Sequence, residues 1–78
     1  MKTMTCKQLG GACDMEFQAE TFEEISGLSH DHGTEMFKQK DEAHLRAMQE
    51  MRVIMQDPEA MQNWMDKKKA EFEALPED

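Results

Sequence analysis

The chain has 78 residues, room for one domain and no second core. Nine basic against seventeen acidic residues give a formal charge of -8, which disfavours nucleic acid, because Lys and Arg supply most non-specific phosphate affinity. Its longest unbroken apolar run is Val53-Ile54-Met55, far short of the about 20 residues that a membrane helix needs.

Residues 1–11 contain no apolar h-region of about 7–15 residues, so a cytoplasmic location is expected, where thiols stay reduced. Cys6 and Cys13 therefore read as metal ligands, redox thiols or buried hydrophobes before they read as a disulfide. A chain this short has a thin stability margin and often recruits a metal, a disulfide or a partner chain. Nine of its residues are Met and none is Tyr, which makes for adaptable core filling.

In chain order, Met4 and Cys6 alternate with Thr3, Thr5 and Lys7, and Met15 and Phe17 alternate with Glu16 and Gln18. That period of two predicts half-buried strands over 2–7 and 13–19, with Gly10-Gly11 as the turn of a hairpin. Thr21-Phe22-Glu23-Glu24 fits a capping box. Phe22, Ile25, Leu28, Ser29, His32 and Met36 then recur at helical spacing, predicting a first helix over 22–37. Asp41 is placed to cap a second helix over 42–56, with Leu45, Met48, Met51, Ile54 and Met55 as its apolar side. Asp57-Pro58 opens a third, over 58–75, carrying Met61, Trp64, Met65, Phe72 and Leu75 on one face, with the Lys68 stem lying along that stripe. Lys67, Lys68 and Lys69 sit among Asp66, Glu71 and Glu73 and read as a solvated face, not a phosphate or lipid patch.

The expected fold is a small α+β domain of order β-β-α-α-α. Residues 1–37 form a hairpin covered by the first helix and carry the Cys and His cluster, and 41–75 form a helical pair.

Such a hairpin brings Cys6 and Cys13 to the same end. At about 100° per residue, His32 points within about 30° of the mean direction of the apolar face, whereas His30 points about 135° away. His32 is thus presented to the cysteines, which suits a tetrahedral Zn(II) site. His44 lies in the apolar stripe of the second helix and supplies a fourth ligand if that helix folds back. His30, Asp14 and water remain open for that position.

The stretch Met1-Lys-Thr-Met-Thr-Cys-Lys-Gln-Leu-Gly-Gly-Ala-Cys-Asp, the Thr-Phe-Glu-Glu helix start and His32-Gly33 resemble a bacterial and archaeal family of predicted small metal-binding proteins of unknown function. The resemblance covers about the first half of the chain and implicates Cys6, Cys13 and His32. The family pattern often has another His five residues beyond His32, where this chain carries Phe37.

Met48, Met51, Met55, Met61 and Met65 could offer thioethers to Cu(I), but their helical spacing equally describes a core or a partner-facing stripe. Ser26 and Ser29 lie on a helix with no nucleophile-elbow context, so no catalysis is expected. The leading expectation is a metal-binding module with a structural Zn(II) ion. The rivals are a metal-free interaction module that homodimerises or docks through its Met-rich helices, and a thiol-redox protein.

Overall fold

The computed structural model describes residues 1–77. Strands β1 (Lys2–Thr5) and β2 (Glu16–Ala19) pair antiparallel, with Met4 opposite Phe17 and Lys2 opposite Ala19. Helices α1 (Phe22–Lys38), α2 (Glu42–Met55) and α3 (Pro58–Ala74) follow, giving the expected order β-β-α-α-α.

The period of two does the work assigned to it in the short strands. Met4, Phe17 and Ala19 are buried on one face, while Glu16 and Gln18 face solvent. Phe22 and Ile25 of α1 close over that face. Phe72 of α3 joins them, its ring edge-on to Phe22 at 6.1 Å. The third helix therefore returns to the hairpin and completes its core. Lys2 secures the return, donating to the Glu73 carbonyl at 2.9 Å with its ammonium 5.4 Å from the centre of the Phe72 ring. The Lys68 ammonium likewise lies 5.9 Å from the Trp64 ring centre, its stem largely covered.

Both strands are shorter than expected, and both cysteines fall outside them. Residues 6–15 form a long connection instead of a tight Gly-Gly turn. The cause is a 3-10 turn, Lys7–Leu9, that tucks the Leu9 side chain inward. Met15 consequently leaves the strand pattern and is 51% exposed. Leu28 and Met55, expected on apolar faces, are also exposed.

Each helix start is capped as its sequence requires. Thr21 Oγ1 accepts from the Glu24 backbone N–H at 3.2 Å and donates to the Glu24 carboxylate at 3.1 Å. The Asp57 carboxylate accepts from Glu59 and Ala60, with Pro58 at the first helical position. The α1–α2 junction is a three-residue connection. Lys40 takes a left-handed conformation with φ 57°. The N–H of Lys40 bonds the Phe37 carbonyl, and that of Asp41 bonds the Met36 carbonyl. That pair of bonds is a Schellman closure of α1, and it delivers Asp41 directly as the N-cap of α2.

A side chain in the left-handed region costs about 1–2 kcal/mol that glycine avoids. Lys40→Gly should therefore raise stability by about 0.5–1 kcal/mol once the entropy of glycine is discounted. Urea unfolding of the two proteins checks this, and a loss of stability would contradict the junction geometry.

Candidate metal centre

The connection between the strands is folded around the Cys6 carbonyl. It accepts the N–H groups of Leu9 at 3.1 Å and Gly11 at 2.8 Å. The Cys6 N–H bonds the Met15 carbonyl at 2.8 Å, and the Lys7 N–H bonds the Cys13 carbonyl at 3.0 Å. Gly10 turns the chain with φ 92°. At Gly11 the constraint is space: a Cβ there would overlap the Cys6 sulfur and lie 3.0 Å from the Cys6 carbonyl oxygen. Only glycine lets the backbone pass so close to the thiol.

That close approach has an electrostatic result. Burial pushes the Cys6 thiol up, but the N–H groups of Cys13 and Ala12 that face its sulfur, with His44, outweigh it and leave the pKa lowered. Cys13 is raised, first by burial and then by the neighbouring Cys6 sulfur and Asp14, with the Met15 N–H opposing. Both cysteines are free thiols.

The helices bring two imidazoles to these sulfurs. His32 sits about one turn beyond the half-buried Ser29 on α1, its ring edge-on to Phe17 at 5.6 Å. Its Nε2 is 3.3 Å from the Cys13 sulfur. His44, in the first turn of α2, has its Nε2 3.5 Å from the Cys6 sulfur. The two rings meet edge-on at 5.2 Å. One donor atom from each of Cys6, Cys13, His32 and His44 lies within 4.8 Å of all the others.

Asp41 fixes the orientation of His44. Its Oδ2 accepts the His44 backbone N–H at 3.0 Å, as an N-cap, and also the His44 Nδ1 at 2.5 Å. An ionised carboxylate can only accept, so Nδ1 carries a proton, and in the neutral imidazole the Nε2 lone pair is the one turned toward the sulfurs. The bond to Asp41 raises the pKa of His44 against burial, and the same bond lowers that of Asp41.

The four positions are compatible with a metal site, and two of their edges can be compared with those of a tetrahedral ion. With metal–sulfur and metal–nitrogen bonds of about 2.3 and 2.05 Å, a tetrahedron has sulfur–nitrogen edges of about 3.6 Å. Two of the four sulfur–nitrogen distances, Cys6–His44 at 3.5 Å and Cys13–His32 at 3.3 Å, are close to that edge. Without an ion the same contacts are thiol–imidazole hydrogen bonds.

Of the four candidates for the last position, the fold brings in His44. His30 is exposed and is not among the clustered donors. Asp14 is 88% exposed and pairs with Lys7 at 3.6 Å. Phe37, at the position where the resembled family often carries a histidine, is 59% exposed. The roles of Gly11 and of Asp41 beyond capping were not anticipated. An Asp three residues before a His at a helix start is the signal for the second, since one carboxylate then reaches both nitrogens.

No protein-family model matches this chain, and neither the curated proteins nor the solved structures contain a match. The resemblance to the small metal-binding family rests on the motif residues alone.

The geometry ranks the histidines. His30→Ala should stay within about 0.5 kcal/mol of the parent in urea, as exposed sites usually do. His32→Ala and His44→Ala should each lose more than that. Equal losses at His30 and His32 would contradict the placement of α1.

Proposed function

We propose that this chain is a metal-binding module in which Cys6, Cys13, His32 and His44 hold one Zn(II) ion in a structural role. The observation that carries the reading is the burial of His44. It is the only buried residue of α2 and the only buried polar residue among the described ones. A helix anchored by an imidazole, with its Met, Leu and Ile side chains only half covered, calls for something stronger than one thiol–imidazole hydrogen bond.

Two thiolates and two imidazoles in a tetrahedron suit Zn(II) over harder cations, which prefer oxygen. Four protein ligands close the coordination shell, the pattern of structural rather than catalytic zinc. The site would then serve as the staple that a chain of this size needs, because the unfolded chain holds no such site and binding energy becomes folding energy. Asp41 would act behind His44, raising its basicity and holding its ring.

A second reading draws on the surface. Phe37, Val53 and Met55 are 59, 68 and 60% exposed, which favours an interaction module that uses its helical face, with or without a metal. No helix among the described residues is long and apolar enough to cross a membrane.

Substituting Co(II) for Zn(II) distinguishes these readings. The metal-centre reading expects thiolate-to-cobalt charge transfer in the near ultraviolet at one equivalent, weakened by Cys6→Ser or Cys13→Ser. Affinity should fall on acidification, since protons compete for both thiolates and imidazoles. Absence of the band, with the chain folded, would leave the interaction module standing.

A further inference from the structure

Beside the cluster, on the side away from the hairpin core, a groove of about 590 Å³ runs between α1 and α2. That volume lies in the range that small-molecule sites occupy, about 300–1,000 Å³. The 3-10 turn closes one end through Leu9 and Gly10. Met48, Met51 and Met55 form one wall and Phe37 stands at the other. Phe37 and Met55 account for two of the most exposed large apolar side chains of the molecule.

The charge around this groove runs against that of the chain. Seventeen of the 78 residues are acidic, yet none lines the groove. Arg52 is its one Lys or Arg. The Arg52 guanidinium forms no ion pair or hydrogen bond with any described residue. A guanidinium without an ion-pair partner among the described residues, beside apolar side chains and in a groove whose lining holds no carboxylate, is complementary to a ligand with an anionic head and an apolar body. Guanidinium is also the group best shaped to take a carboxylate through two parallel hydrogen bonds.

We propose that the groove binds a small alkyl carboxylate, its chain along Met48, Met51 and Met55 and its head on Arg52. Unbranched thioether side chains adapt to such a chain without a fixed shape of their own. The carboxylate need not reach the proposed metal centre, whose four ligands would close it. Cys6 and His44 do form part of the groove wall, so ligand and metal share the same junction of elements.

The molecule carries its own reporter. Trp64 is the only Trp, and a Cβ at Gly10 would lie 3.1 Å from both the Trp64 ring and the Met51 sulfur. Trp64 therefore packs directly behind the groove end.

The test titrates the purified full chain with octanoate, octylammonium and octanol, following heat and Trp64 fluorescence, and records zinc content in the same samples. Octanoate should bind at one site and shift the Trp64 emission, with octylammonium and octanol weaker. A protein of charge -8 would by general attraction favour the cation, so this preference is specific to the groove. Arg52→Met should weaken octanoate by about tenfold or more while leaving octanol unchanged. Arg52 is exposed and distant from the core, and circular dichroism confirms that the variant folds. Octylammonium or octanol binding as well as octanoate would overturn the proposal. So would octanoate binding that is indifferent to Arg52→Met, or no octanoate binding at all. A homodimer in sedimentation that octanoate leaves intact would also overturn it, by assigning the groove to a second copy. A zinc-free sample that still binds octanoate through Arg52 would support the groove and count only against the metal centre.

Discussion

The one side chain that the second helix buries is a histidine, and most of what is unusual in the chain serves that contact. His44 reaches Cys6 because Asp41 stands at the N-cap of α2 and holds both its backbone N–H and its ring. Asp41 is there because α1 ends in a Schellman closure that needs only Lys40 to turn left-handed. Cys6 is there because Gly11 lets the chain fold back against its sulfur. Removing any of these would leave α2 with half-covered apolar side chains and no buried anchor.

This divides the molecule energetically. On one side lies an apolar core of Met4, Cys6, Leu9, Phe17, Ala19, Phe22, Ile25 and Phe72, which joins the hairpin to α1 and α3 and shares Cys6 with the cluster. On the other side lies the sulfur–imidazole cluster, which joins the same hairpin to α1 and α2. A core of eight buried apolar residues is small beside the conformational entropy of the chain, about 1–2 kcal/mol per residue for the backbone alone. A structural zinc ion supplies about 10–16 kcal/mol in small peptides, comparable to the net stability of a whole domain, about 5–15 kcal/mol. The proposed ion would thus contribute much of what holds α2 in place.

Local signals in the sequence were legible where the physics is local. The caps at Thr21, Asp41 and Asp57 follow from side chains that bond the nearest free N–H groups. The ranking of His32 over His30 follows from helical angle alone. What escaped was set by tertiary geometry. The strand ends shifted because burying Leu9 in a 3-10 turn competes with continuing a ladder past Thr5. Phe72 could be placed on an apolar stripe, but its meeting with Phe22 depends on how the last helix crosses the hairpin. His44 was one of four open choices for the last ligand, because only the α1–α2 junction decides which histidine swings inward. Gly10 and Gly11 looked like one turn, yet one is needed for its backbone angle and the other for the room it leaves a sulfur.

X-ray absorption at the zinc edge, on protein titrated with one equivalent of Zn(II), tests the central claim most directly. The account predicts a four-coordinate shell of two sulfurs at about 2.3 Å and two imidazole nitrogens at about 2.0–2.1 Å. A shell of oxygen and nitrogen alone, or zinc that stays in solution beside folded protein, would contradict it.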